Sequence, residues 1–191
     1  MKTYFLYCAC LALVLSSFLG CDIFEVKTTD FTQLPPETQE GKHTFGCYID
    51  GKLFVGGNLS NSWIERDLLI ANYVKSTDEL NIYTHGKINN EVQALVGFKI
   101  IHPMLDISQQ FREMYYTAPD TSLLKCYCNS YSGKSSGELL LTKFDTINYI
   151  VSGRFDFIVE CDDPTACGFM QKDTIHITQG RFDLRMRIFD N

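Results

Sequence analysis

The chain has no surplus of positive charge: 17 Lys+Arg stand against 23 Asp+Glu in 191 residues, a formal charge of −6. A generic nucleic-acid binder needs a basic field to displace counterions, so that class is excluded. Nor is there an apolar run of comfortable transmembrane length, because the stretch Tyr4–Leu15 is too short and lacks a basic flank on its far side. No long stretch keeps a 3.6-residue period, which argues against a helical bundle. The length leaves too little for two ordinary domains. What is present is a globular composition, 45% hydrophobic and 13% aromatic, which excludes a disordered chain and supplies a sizeable core.

The N-terminus reads as an address. Lys2 is the only charge before Asp22, and Tyr4–Leu15 is followed by Ser16-Ser17-Phe18-Leu19-Gly20-Cys21. A short basic start, an apolar stretch and small residues at a cleavage point make residues 1–20 a secretory signal. Phe18-Leu19-Gly20-Cys21 resembles a bacterial lipobox, in which the cysteine is acylated and becomes the first residue. Removing residues 1–20 leaves 16 Lys+Arg against 23 Asp+Glu. Residues 21–42 are polar and aperiodic and carry Pro35-Pro36, the pattern of a flexible, lipid-anchored linker. The expected folded head is then one β domain, residues 43–191.

That head reads as strands. Phe45, Cys47 and Ile49 alternate with smaller or polar residues and run into Asp50-Gly51, a two-residue hairpin signal that sets Cys47 opposite Phe54. Further runs lie at 68–74, 80–84, 92–101, 123–128 and 139–144. Ile147, Tyr149, Val151, Phe155, Phe157 and Val159 all fall on odd positions. In the last strand Ile175 and Ile177 are odd, but Phe182, Leu184, Met186 and Ile188 are even, so a bulge is expected at Gln179-Gly180. Beyond it Arg181, Asp183, Arg185 and Arg187 form the expected solvent side. Ser108–Met114 is the one place where a helical turn is expected. About nine strands imply an all-β fold: an antiparallel β-sandwich, or as second choice a flattened up-and-down, lipocalin-like barrel.

Several motifs tempt a catalytic or metal reading. Gly133-Lys134-Ser135-Ser136-Gly137 matches G-x-S-x-G, but a nucleophile elbow needs a helix after it and Glu138–Phe144 reads as a strand. Ser135 is therefore the nucleophile only of the alternative reading, an exported serine hydrolase, and no catalytic residue is expected. His43, His85, His102 and His176 are scattered. Five cysteines remain in the head: Cys47, Cys126, Cys128, Cys161 and Cys167. Their spacing is not that of a zinc site, and export favours disulfides. Cys161 and Cys167 flank a short loop and are the expected pair, which leaves Cys47 to either Cys126 or Cys128. Asp162-Asp163 lacks the Gly-containing loop of a calcium site, so no metal and no cofactor are expected.

The segments Leu34-Pro-Pro-Glu-Thr-Gln39, Thr44–Lys52, Ser136–Leu139, Thr142–Asp145, Val151–Phe157 and Ile177–Asp183 resemble a family of small β-rich lipoproteins of the Bacteroidota, a domain of unknown function. Phe54 stands where that family often has Trp, and the Cys161–Cys167 loop is not typical of it. The resemblance implies an outer-membrane lipoprotein on the periplasmic or surface face and a β-rich fold. It implies no catalytic residue. The expected partner is the membrane, reached through the N-terminal lipid, with an envelope protein or glycan as a further candidate. A non-catalytic binding or structural module is the expected function. A barrel carrying a small apolar ligand is the remaining alternative. Gly153-Arg-Phe-Asp156 and Gly180-Arg-Phe-Asp183 form an internal echo, too short to argue a duplication.

Overall fold

The computed structural model describes residues 32–57, 68–119, 125–129, 136–161 and 173–190. These residues form twelve strands and no helix, so the all-β expectation holds. Asp50 and Gly51 both take positive φ (48° and 77°) and join β1 (Thr44–Ile49) to β2 (Lys52–Gly56), with Cys47 opposite Phe54 as expected. Then follow β3 (Leu69–Val74), β4 (Glu79–Ile88), β5 (Val92–Ile101), β6 (Ser108–Gln109), β7 (Glu113–Pro119), β8 (Lys125–Asn129) and β9 (Ser136–Asp145). The chain ends with β10 (Ile150–Cys161), β11 (Thr174–Arg185) and β12 (Arg187–Phe189).

All twelve strands belong to one sheet, in the order β11-β1-β2-β4-β5-β7-β8-β10-β9-β6, and β10 pairs with β11 as well. The path therefore curls back to its own beginning, and the strands do not separate into the two sheets of a sandwich. Every ladder is antiparallel except β12–β3, which is parallel and makes the sheet mixed. Two strands share their ladders. β4 pairs with β2 at one end and β3 along the rest, while β10 pairs with β9 over residues 150–158 and, among the described residues, with β8 at Glu160 and Cys161. That two-rung contact is the seam of the curl.

Ser108–Met114 is not helical: β6 takes its ladder from β9, some thirty residues away, and β7 starts at Glu113 with Met114 and Tyr116 buried. Ile147 and Tyr149 do not join the buried face of β10. Asp145 Oδ1 accepts the Ile147 and Asn148 amides, and Tyr149 has φ 59°, so the chain turns there and β10 begins at Ile150.

The register switch in β11 is where the parity places it. Between Gly46 and Tyr48 the partner on β11 moves from Arg181 to Thr178, and between Phe155 and Phe157 it moves from Gly180 to Ile177. One extra residue therefore sits in β11 against both neighbours. Gln179 has φ 53°, and its amide donates to Asp156 Oδ1 at 2.8 Å, so the bulge is held by a side chain of the next strand. Ile175, Ile177, Phe182, Leu184 and Met186 all reach the core as a result.

The interior is aromatic. Phe98 packs on Phe111, Phe155, Phe157 and Phe182 with ring centroids 5.0–6.4 Å apart, and Phe45 on Phe54, Phe155 and Phe182. The echoed tetrapeptides explain part of this packing. They lie opposite each other in antiparallel register, Gly153 against Phe182 and Gly180 against Phe155. A Cβ on Gly180 would sit 2.4 Å from the Phe155 ring, so each glycine makes room for the other motif's phenylalanine.

Candidate functional site

Cys21, the expected acylation site, lies outside the described residues. From Leu34 onward the expected linker is docked on the sheet, which moves the start of the folded head from residue 43 to about residue 34. Pro35 is buried over Gly46, where a Cβ would come within 2.5 Å of the proline ring. Glu37 pairs with Arg154, whose Nε donates at 2.8 Å. The segment 34–42 then closes over Asp183, which is only 1% exposed instead of facing solvent.

Asp183 sits on the outer face of β11 beside Ser152 of β10 and gathers five donors. Its oxygens accept the Thr38 hydroxyl (2.5 Å), the amides of Glu40 (3.0 Å), Gly41 (2.8 Å) and Lys42 (3.0 Å), and the Ser152 hydroxyl (2.7 Å). Burial pushes this carboxyl up, but the donors outweigh burial and hold it below its ordinary value. The carboxylate thus fastens the segment that follows the expected tether to the middle of the sheet. Nothing local in the sequence marks it, because its donors lie more than 140 positions away in the chain, apart from Ser152.

The sulfur chemistry differs from expectation. Cys161 is bonded to Cys128 rather than Cys167, with Cα atoms 4.0 Å apart. The reason is register: β8 and β10 place these two residues directly opposite each other. Cys167 lies outside the described residues, and so does the side chain of Cys126. Cys47 is not paired with Cys128; it is a free, buried thiol on β1, which the sheet order separates from β8. Burial, then the Asp156 charge, pushes its pKa up, so it rests as a neutral thiol. Tyr116, opposite Cys128 in the ladder, is fully buried and its phenol is likewise pushed up by burial, with smaller effects from Asp50 and Cys47.

The hydrolase constellation is not brought together among the described residues. Ser135 and Asp162-Asp163 lie outside them, and Gly137 stands in a ten-residue strand, not before a helix. The histidines sit apart. His43 has φ 61° just before β1, His85 is half-buried on β4 with its pKa lowered by burial, and His176 is exposed on β11. No group of three His, Cys, Asp or Glu side chains among the described residues is placed to hold a metal.

One histidine does have a built environment. His102 Nδ1 lies 2.7 Å from Asp78 Oδ2, and the Tyr73 hydroxyl donates to Asp78 Oδ1 at 2.8 Å. The hydrogen bonds from His102 and then Tyr73 hold Asp78 below its ordinary carboxyl value. This cluster marks the end of the sheet where β3 stops and β4 starts. Lys75 and Asp190 pair across the same end at 2.7 Å. Comparison with protein-family models, with curated proteins and with solved structures finds no match for this chain.

Proposed function

We propose that the chain is a cell-envelope lipoprotein of the kind the Bacteroidota resemblance implies, held to the outer membrane through acylated Cys21. Its single β domain works through its surface as a non-catalytic binding or structural module. The observation that carries this reading is the strap: residues 34–42, directly after the tether, are fastened to the sheet by Asp183 and by Glu37–Arg154. A tether that ends in a fixed strap joins the anchor to the body of the sheet and keeps the head within tether reach of the membrane, as a surface-presented module requires. The interlocked phenylalanines occupy the interior, which favours a packed core over a carrier of apolar ligands.

Cell fractionation tests the anchor. A Cys21→Ser chain should leave the membrane fraction and run without lipid, and unchanged membrane retention would overturn the reading. A processed lipoprotein carries several acyl chains, whereas one chain binds only marginally. The alternative of an exported hydrolase predicts ester turnover that Ser135→Ala abolishes, readable on a broad panel of chromogenic esters.

A further inference from the structure

The six large hydrophobic side chains that stand exposed among the described residues are Met104, Leu105, Ile107, Ile147, Tyr149 and Phe189. They belong to segments that leave one end of the sheet. Phe189 pairs with Val74, Val74 with Glu79 and Glu79 with Ile101, so β12, β3, β4 and β5 share that end. The β9–β10 turn joins it through the Met186 amide, which donates to the Tyr149 carbonyl.

The loop after β5 is built to keep its side chains out. The Met104 amide donates to Gln109 Oε1 at 2.8 Å, and Gln109 Nε2 returns a hydrogen bond to the Met104 carbonyl at 2.6 Å. Gln109 is itself buried, the Asp106 amide donates to the Leu141 carbonyl, and Asp106 has φ 57°. Met104, Leu105 and Ile107 remain 48%, 48% and 52% exposed on a loop pinned at both flanks. Ile147 is 83% exposed on a turn capped by Asp145. At this end Lys75 pairs with Asp190, and Asp78 takes hydrogen bonds from Tyr73 and His102, which lowers the cost of bringing these groups near a low-dielectric phase, while the exposed carboxylate of Asp106, between Leu105 and Ile107, limits seating to the outer edge of the acyl region.

We propose that this apolar rim seats in a lipid surface, as a second membrane contact of the tethered head. The inference rests on the lipoprotein reading, which supplies the occupant. About 13 residues separate Cys21 from Leu34 and reach at most about 45 Å, somewhat more than the roughly 40 Å length of a twelve-residue strand. The tether therefore lets the rim turn onto the bilayer that holds the anchor, at the high effective concentration that tethering gives.

The test uses the full acylated chain reconstituted in phosphatidylcholine vesicles with brominated acyl chains. The single tryptophan is removed by Trp63→Phe, and a probe is placed at the rim as Leu105→Trp or, independently, Ile147→Trp. Seating in the outer acyl region predicts a blue-shifted emission and quenching of roughly twofold at both probes. A chain that floats with the vesicles while both probes stay unquenched overturns the rim proposal and leaves the anchor standing. A blue shift that grows with protein concentration and ignores bromine overturns it in favour of a second copy on the rim. Fractionation of Cys21→Ser reports on the anchor separately, and a parent chain that never floats overturns both.

Discussion

Replacing Cys128 and Cys161 together by alanine removes the one covalent link that the described residues place across a seam where they otherwise share two backbone rungs, Glu160–Asn129 and Cys161–Cys128. The bond joins residues 33 positions apart. Chain-entropy bookkeeping for a ring of that size gives about 4 kcal/mol, on a model in which unfolded-state effects are disputed. For a domain of about 150 residues this corresponds to a fall in Tm of roughly 8–15 °C. The loss should be local first. The ladders β10–β11 and β4–β5 each run ten rungs and need no staple, whereas among the described residues β8 takes its rungs from β7 and the seam. Amide exchange at Cys128 and Asn129 should therefore accelerate in the double variant, or after a phosphine reductant, before exchange in β4 or β11 changes. Thermal unfolding with and without reductant measures the total, and exchange mass spectrometry locates it. Equal midpoints for the oxidised parent and the double variant would refute the reasoning, as would a non-reducing peptide map in which Cys161 is linked to Cys167.

Asp183→Asn should cost about 3 kcal/mol, because an amide turns a donor toward the strap amides that the carboxylate accepts; denaturant titration measures it. The sign with pH follows from the lowered carboxyl. Its stabilisation is complete above the unfolded carboxyl value and fades as pH falls through the lower folded value, so the parent should lose stability below about pH 4 and the variant should lose less over that range. Gly46→Ala should displace the strap from Pro35 and cost about 1–3 kcal/mol, read as faster limited proteolysis within residues 34–42. Phe98→Ala should cost about 3–5 kcal/mol in chemical denaturation, since its ring meets four other phenylalanines.

What the sequence made legible was local. Period-two alternation and the Asp50-Gly51 turn are written in adjacent residues, and the odd-to-even switch at Gln179-Gly180 marks a bulge because a strand cannot change faces otherwise. One misreading had a local cause and the other a long-range one. The alternation through Ile147 and Tyr149 reads as strand until Asp145 captures the turn amides, and nothing near Cys161 names Cys128. The single sheet could not be told from a sandwich, since alternation fixes which face a residue takes and not which strand lies beside it.

The two Gly-Arg-Phe-Asp tetrapeptides show where that boundary runs. Their glycines and phenylalanines do the same thing, each glycine admitting the ring across the ladder, and this equivalence is visible in the motif itself. Their aspartates do not. Both lie on the outer face and both accept backbone amides, but Asp156 receives one from Gln179 and stays exposed, whereas Asp183 is sealed beneath the strap. The difference is imposed by Thr38–Lys42, which cross β11 and leave Asp156 uncovered. Identical local sequence therefore yields one surface carboxylate and one buried latch, and only the docking of the N-terminal segment decides which is which. The same docking takes what reads as linker into the fold, so the strap and the latch are one structural fact seen from two ends of the chain.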